Sequence, residues 1–268
     1  MSLLRKKLPI GIQTFAKLRS EGCYYVDKTE FALRLIDQGG YFFLSRPRRF
    51  GKSLFLDTLK ELFEGNRSLF EGLYAAEHWD WSVSYPVIRI SFGSGVLKTT
   101  EDLQTMLQRA LRLHEEQWDV KPESSDIRGR FADLIAAAAH KSGQKVVVLI
   151  DEYDKPILDN IEDAERATAM REGLKDLYSV LKDADPYLKF VFLTGVSKFS
   201  IVSLFSGLNN LNDISVDAEY STLCGYTDAD VDTVFAPELA VGDLDRQQIR
   251  EWYNGYNWTG EAVYNPFD

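Results

Sequence analysis

The chain has 268 residues, of which 45% are hydrophobic and 27% are charged, and its formal net charge is −10. This composition is typical of a folded globular protein, and the acidic balance disfavours generic nucleic-acid binding, which needs clustered Lys and Arg. No apolar run approaches the roughly 20 residues that span a bilayer, and the first residues do not resemble a secretion signal. We therefore expect a cytoplasmic protein without a membrane partner, in which Cys23 and Cys224 are buried thiols.

Short apolar runs alternate with amphipathic segments between about residues 40 and 195, which predicts an α/β fold with a mostly parallel sheet flanked by helices. Each predicted strand is short, rich in β-branched or aromatic residues and bounded by turn residues or charge. The predicted strands are 40–45, 86–92, 145–151 and 188–195. The predicted helices between them are 52–65, 100–118, 126–143 and 166–185.

The last part of the chain has a different pattern, because short helical segments replace the alternation. Thr227 precedes one of them as a predicted N-cap, with Asp230 three residues further on, and residues 244–258 contain a second. We predict two parts, a core with an N-terminal leader at 1–215 and a helical, lid-like segment at 216–268. We also expect a further domain to follow residue 268 in a longer chain.

The stretch RPRRFGKS at residues 46–53 resembles a phosphate-binding loop, since it follows a predicted strand and opens a predicted helix. In such a loop Lys52 neutralises phosphate, the Ser53 hydroxyl holds Mg²⁺, and Gly51 lets the backbone approach the anion. Arg46 occupies the place of the first glycine, where a residue with allowed dihedrals is tolerable. The other predicted nucleotide-binding residues of the loop are Arg48, Arg49, Phe50 and Leu54. Arg48 and Arg49 either contact phosphate or are solvated charges of the loop, and the sequence favours neither interpretation.

An acidic pair follows the third predicted strand, in the sequence VVVLIDEYDK. Asp151 is placed to hold Mg²⁺, and Glu152 to accept a proton from an attacking water. The loop and the acidic pair support each other, because a nucleoside triphosphatase needs both. Asp154 is expected to cap the following helix, with a place in the outer shell of the metal as the alternative.

The fourth predicted strand ends at Thr194, beside the acidic pair if the sheet is parallel. Its hydroxyl could orient the attacking water or contact the γ-phosphate, with Ser197 and Lys198 as nearby alternatives. The other interpretation is a threonine that ends a strand. In the leader, Tyr24 or Tyr25 could stack on a base, although packing of both rings against the sheet is the favoured interpretation.

Several motifs, in this order, resemble those of the AAA-ATPase-like domain family of bacterial and archaeal proteins. They are RPRRFGKSL, VLIDEYDKP, LTGVSKFS, FSGLNNLNDIS, LCGYT, WYNGY and YNPF, and the similarity extends from about Ile10 to Phe267. The resemblance implies a P-loop core of the AAA+ type, with Lys52 and Ser53 on triphosphate and Mg²⁺, Asp151 on Mg²⁺ and Glu152 activating water. In this family the loop commonly begins RPRRFGK, which implies that an arginine at position 46 is usual for the family and not a defect of the loop.

The resemblance also implies partners, because family members often continue into a C-terminal domain that resembles PD-(D/E)XK nucleases. No Asp…Glu-x-Lys constellation of such a nuclease is found in this sequence. Thr194 or Ser197 corresponds only approximately to the sensor position of the family. An arginine finger is not identified, and Arg166 and Arg171 are candidates if subunits assemble, with solvated helix charges as the favoured alternative.

Three functions follow as hypotheses, of which the third, action on nucleic acid, rests only on the fused domain of the family and is disfavoured by the acidic charge. The first is ATP binding with Mg²⁺-dependent hydrolysis that couples nucleotide state to conformational change. The alternative is a nucleotide-gated module with little turnover that serves a nuclease-like C-terminal domain absent from this chain.

Overall fold

The structure, a computed structural model, describes residues 5–198, 204–205, 210–241 and 244–267. The chain divides into two compact units. The unit that we call the sheet unit comprises Gly39–Ser45 and Ser82–Asn212. The unit that we call the loop unit comprises Met1–Gln38, Arg46–Trp81 and Asp213–Asp268.

The larger sheet has five strands within the described ranges, in the order β2-β3-β4-β1-β5. The strands are β1 (Gly40–Ser45), β2 (Val87–Ser91), β3 (Val146–Asp151), β4 (Leu188–Gly195) and β5 (Leu211–Asp213). The pairings of β2 with β3, of β3 with β4 and of β1 with β4 are all parallel. The predicted α/β class and the four predicted strands are confirmed, each strand to within one residue at either end, whereas β5 was not predicted.

Helices occupy most of the segments between the strands. They are α1 (Phe15–Ser20), α2 (Thr29–Gln38), α3 (Lys52–Phe63), α4 (Ala75–His78), α5 (Thr100–Gln117), α6 (Ile127–Ser142), α7 (Lys155–Leu158), α8 (Ala164–Asp183), α9 (Asp228–Val234), α10 (Ala236–Val241) and α11 (Arg246–Tyr253). A small antiparallel pair follows, β6 (Asn254–Tyr256) with β7 (Val263–Tyr264). Among the described helices, none combines the length and the apolarity that crossing a bilayer requires.

The register of the sheet aligns the carboxyl ends of three neighbouring strands. Ser45 of β1 is level with Gly195 of β4, and Ile150 of β3 is level with Leu193. Asp151, the next residue of β3, therefore ends its strand beside Thr194. Because β4 lies between β1 and β3, and strands are spaced about 4.8 Å apart, the ends of β1 and β3 lie roughly 10 Å apart on one edge of the sheet.

Capping residues and a glycine mark several helix ends, and the predicted Thr227 cap is confirmed. Thr99 caps α5 in a capping box with Asp102, and Thr227 caps α9 in another with Asp230. Gly143 ends α6 with a left-handed φ of 67°, which glycine adopts at little cost. These caps satisfy backbone groups that a helix leaves without internal partners.

The core of the sheet unit explains why its strands are almost continuously apolar. All six residues of β3 are buried. One apolar cluster joins the strands to the inner faces of α5, α6 and α8, through residues such as Leu107, Leu134 and Leu174. Burial of these side chains, worth about 1.5–3 kcal/mol for each large one, holds the strand ends in fixed register.

Candidate functional site

The segment between β1 and α3 makes a tight turn that leads directly into a helix. Arg49 and Gly51 have φ angles of 67° and 89°, in the left-handed region, and α3 begins directly afterwards at Lys52. The first amides of a helix have no intrahelical acceptor and carry the positive end of its dipole. The turn therefore places a helix N-terminus of the kind that binds phosphate at the end of the loop.

The Lys52 side chain is buried and spans the loop. Its ammonium donates to the carbonyl oxygens of Arg46, at 2.9 Å, and Pro47, at 2.8 Å. These bonds hold the loop in a closed curve. They also hold the positive charge of Lys52 at the start of the loop.

Arg46 is a buried structural residue of the loop unit. Its side chain is 1% exposed, and its guanidinium donates to the carbonyl oxygens of Ser215, at 2.7 Å, and Tyr220, at 3.1 Å. Burial lowers the pKa of this guanidinium below its usual value, while Cys224 and Asp213 oppose the shift. The positive φ angles of the loop fall at Arg49 and Gly51 and not at Arg46, so the absent first glycine is not required for the turn.

Replacing Arg46 with glycine, which would restore the more common loop pattern, is expected to destabilise the protein. The change removes two charge-assisted hydrogen bonds and leaves two carbonyl oxygens without those donors, a loss of about 3 kcal/mol. Urea denaturation monitored by circular dichroism measures the loss. Arg48→Gly is the matched control, because Arg48 is exposed in the same loop, and we expect it to change the free energy of unfolding by less than about 1 kcal/mol. An Arg46→Gly protein as stable as the wild type would contradict the structural role of Arg46.

The remaining predicted loop residues have different surroundings. Arg48 and Arg49 are exposed, and Arg49 lies over the ring of Phe267, with its guanidinium carbon 4.1 Å from the ring centroid. Phe50 is fully buried, so its side chain packs inside the loop unit and only its backbone could meet an anion. Ser53 and Leu54 are half-buried in the first turn of α3.

The predicted acidic pair lies at the end of β3 in the sheet unit. Asp151 is buried, and one of its carboxylate oxygens accepts a hydrogen bond of 2.6 Å from the Thr194 hydroxyl. The same hydroxyl accepts a bond of 3.3 Å from the backbone N–H of Glu152, which has a left-handed φ of 55°. Thr194 is therefore placed to orient Asp151 and Glu152, and its predicted contact with water or γ-phosphate stays a prediction.

Two residues on and after the neighbouring strand β2 lie near the acidic pair. The Arg89 guanidinium lies 3.9 Å from the second carboxylate oxygen of Asp151. A Cβ atom on Gly93 would lie 3.5 Å from a carboxylate oxygen of Glu152, so glycine leaves room for this side chain. Sequence reasoning missed Arg89, because a single arginine inside an apolar strand has no spacing signal.

The magnesium prediction agrees with the chemistry of these side chains. The described residues contain no group of three or more His, Cys, Asp or Glu that could hold a metal ion. Mg²⁺ bound together with phosphates commonly takes only one or two protein ligands and keeps several waters. The buried Asp151 carboxylate, oriented by Thr194, fits that requirement, and its assignment to the metal, like that of Ser53, stays a prediction.

Asp154 fastens the end of β4 to the turn after β3. Its buried carboxylate accepts bonds from the backbone N–H groups of Val196 and Ser197, at 3.1 and 2.7 Å, and from the Ser197 hydroxyl at 3.0 Å. Burial raises the pKa of this carboxyl, and the Ser197 and Val196 donors oppose the shift. Tyr153 adds a bond from its hydroxyl to the Ser197 carbonyl, at 3.0 Å. The predicted helix-capping role of Asp154 is wrong, since no side-chain cap bond is formed at α7.

Asp154→Asn is expected to loosen this fastening. An amide oxygen can replace one acceptor, but the amide NH₂ then faces backbone donors, so we expect a loss of about 2 kcal/mol in the free energy of unfolding. Faster hydrogen exchange at the amides of Val196 and Ser197 is the specific readout. Asp176→Asn serves as control, because Asp176 lies exposed on α8. Unchanged exchange at both amides would show that Asp154 does not fasten the turn.

The structure thus groups the predicted site residues within each unit. Asp151, Glu152 and Thr194 meet at one edge of the sheet unit, and the 46–54 segment forms a closed loop in the loop unit. The candidate finger residues lie on α8, where Arg166 is exposed and pairs with Asp163, and Arg171 is half-buried near Glu172. Their role in a subunit contact stays a prediction.

The leader tyrosines pack inside the loop unit. Tyr24 is buried, donates a hydrogen bond to Glu238 and contacts the ring of Phe235. Tyr25 meets the ring of Phe15 at an edge, with centroids 5.2 Å apart. Both rings also line a cavity of about 70 Å³ beside Gly51.

A parallel sheet with a Gly-Lys-Ser loop after its first strand and an acidic pair after its third defines a fold of the P-loop nucleoside-triphosphatase type. Comparison with known families agrees, because the family described as predicted AAA-ATPase matches residues 9–205. The chain belongs to this AAA-ATPase-like family, which confirms the resemblance.

One similar protein is an uncharacterized protein in the vnfD 5′ region of Azotobacter chroococcum mcd 1, which is 62% identical over 265 residues. The match covers 98% of this chain and 51% of that relative, so the chain spans about half the length of the relative. No solved structure matches the chain.

Proposed function

We propose that this protein binds ATP with Mg²⁺ and hydrolyses it, and that the nucleotide state changes the protein's conformation. Family membership supports nucleotide binding by an AAA-type domain. We further propose that the nucleotide is ATP, that the metal is Mg²⁺ and that the reaction is hydrolysis. The proposal assigns Lys52 and the α3 amides to the phosphates, Ser53 and Asp151 to the metal, and Glu152 to water activation.

The observation that carries the proposal is the register of the sheet. Ser45, from which the phosphate loop departs, and Asp151 end their strands on the same edge, on either side of the end of β4. Ligands of open parallel α/β sheets bind outside the carboxyl ends of the strands. We therefore propose that the triphosphate binds outside this edge of the sheet, where Asp151 ends β3.

In the proposed reaction, water attacks the γ-phosphorus and the bond to the β,γ-bridging oxygen breaks, which releases ADP and phosphate. Glu152 accepts the proton of the attacking water. Lys52 and the loop amides neutralise the negative charge of the phosphate oxygens while that charge moves towards the leaving group. Bound Mg²⁺ would supply further charge neutralisation, while Thr194 holds Asp151 in orientation.

We place the nucleobase in the cavity between Tyr24, Tyr25, Leu54 and Tyr226, because that cavity adjoins Gly51 and has aromatic walls. The helical segment 216–268 would act as a lid over the nucleotide. The same proposal includes assembly into homo-oligomers. It also includes a role in controlling a nuclease-like domain in a longer chain. A cytoplasmic location agrees with two buried, free cysteines.

The proposal is tested by calorimetry with ATP and a non-hydrolysable analogue, with and without Mg²⁺, followed by a phosphate-release assay. We expect saturable binding that strengthens with Mg²⁺, and release of phosphate from ATP alone. Binding without phosphate release would favour the nucleotide-gated module instead. Absence of binding in all four titrations would refute nucleotide binding altogether.

A further inference from the structure

Side chains of the phosphate loop pack against the C-terminal aromatic residues of the same unit. Phe50 lies edge-on to the rings of Tyr256 and Trp258, at centroid distances of 4.7 and 5.1 Å. Those two rings stack on each other at 6.1 Å. We call Tyr256 and Trp258 the aromatic clasp, because they enclose a loop side chain that is itself fully buried.

Arg46 joins the opposite end of the loop to the same clasp. Its guanidinium carbon lies 4.1 Å from the centroid of Trp258, within the range of a cation–π contact. The same guanidinium bonds to the carbonyls of Ser215 and Tyr220. The two residues that flank the loop turn, Arg46 and Phe50, therefore both contact Trp258.

The clasp has a firm base in the segment that receives Arg46. Thr259, with a left-handed φ of 68°, donates from its hydroxyl to the carbonyl of Val216 at 2.8 Å. Gly260 packs so closely against Ser221 that a Cβ atom there would collide with the Ser221 side chain. A shift of the loop end at Arg46 would therefore be transmitted to Trp258 and not be absorbed by a loose turn.

The loop has an internal contact that phosphate would change. The Lys52 ammonium donates to the carbonyls of Arg46 and Pro47, and an anion at the α3 N-terminus would attract the same ammonium. Redirecting even one of these donors alters the backbone of Arg46, whose side chain lies on Trp258. The connection from anion to clasp thus passes through two residues, Lys52 and Arg46.

We infer that the aromatic clasp senses occupancy of the phosphate loop and, in return, sets the affinity of the loop for the anion. The inference rests on the proposed function, since it assigns regulation to that same site. Coupling between two sites is reciprocal, so an anion that moves Trp258 must bind with altered affinity when Trp258 is removed. The C-terminal segment would in this way report nucleotide state to whatever contacts it.

The first test uses tryptophan fluorescence of the full chain with inorganic triphosphate and Mg²⁺ as the probe. Trp252 is the matched control, because it lies six residues away and is 79% exposed. We expect an emission change on anion addition that persists in Trp252→Phe and is lost in Trp258→Phe. An equal change in both variants would overturn the inference.

The second test measures affinity by calorimetry. Trp258→Ala is expected to change the dissociation constant for Mg²⁺·triphosphate at least fivefold, and Trp252→Ala less than twofold. Trp258→Phe keeps a ring against Phe50 but has a weaker cation–π contact. If Trp258→Ala does not fold, Trp258→Phe is expected to change the dissociation constant at least twofold. If the wild-type protein binds the anion without an emission change, or if Trp258→Ala binds it with unchanged affinity, the inference about the clasp is refuted and the proposed function stands. Wild-type protein that binds no anion would overturn both the clasp and the proposed function.

Discussion

Lys52→Ala protein is expected to bind Mg²⁺·ATP at least 100-fold more weakly than the wild type, a loss of about 2.8 kcal/mol. The reason is that the Lys52 ammonium is a buried cation of the loop, held by the carbonyls of Arg46 and Pro47. Charge-assisted bonds to phosphate are among the stronger polar contacts in proteins. Isothermal titration calorimetry measures the change.

The matched control for this prediction is Lys60→Ala. Lys60 lies on the same helix and pairs with Glu61 and Glu64, at 3.0 and 2.7 Å. Its loss should leave the affinity for Mg²⁺·ATP within about twofold, because nothing in the proposal assigns it to the nucleotide. Equal binding by Lys52→Ala and wild-type protein would remove Lys52 from the phosphate site. Thermal denaturation of both variants separates lost binding from lost folding.

Glu152→Gln protein is expected to keep Mg²⁺·ATP binding within about threefold and to lose turnover by 10²- to 10⁴-fold, the usual range for loss of a general base. Glutamine has the same length, so it preserves the space beside Gly93 and the N–H bond to Thr194. What it lacks is the ability to accept a proton. Phosphate release at saturating ATP gives the turnover number.

Glu172→Gln is the companion variant, since Glu172 lies exposed on α8. Its turnover should match that of the wild type. Turnover in Glu152→Gln equal to wild type would exclude Glu152 as the base, while nucleotide binding would stand. A wild type without measurable turnover would instead support the nucleotide-gated alternative.

The fold was predictable because buried parallel strands have a distinct pattern. Both faces of β3 are covered, so its run of valine, leucine and isoleucine is uninterrupted up to Asp151. Local signals such as the Thr99 capping box and Gly143 act within a few residues and do not depend on the rest of the chain. The strand β5, with only three residues, was too short to give such a signal.

The candidate site was predictable only in part, because some of its contacts join residues far apart in sequence. The RPRRFGKS motif identified the loop, but not that Arg46 bonds to Ser215 and Tyr220, about 170 positions away. Asp154 was expected to cap a helix, and its actual partners could not be predicted because they lie at the end of a different strand. Left-handed backbone at Arg49 and Glu152 was also missed, as neither residue type favours it.

Backbone amide shifts in ¹⁵N-labelled protein, on titration with Mg²⁺ and a non-hydrolysable ATP analogue, test the central claim most directly. We expect large shifts at the amides of Gly51, Lys52 and Ser53, where the loop meets the N-terminus of α3. The amides at the N-terminus of α8, which has its own cap at Asp163, should not move. Saturable binding of the analogue with unmoved amides at residues 49–53 would contradict a phosphate site in this loop.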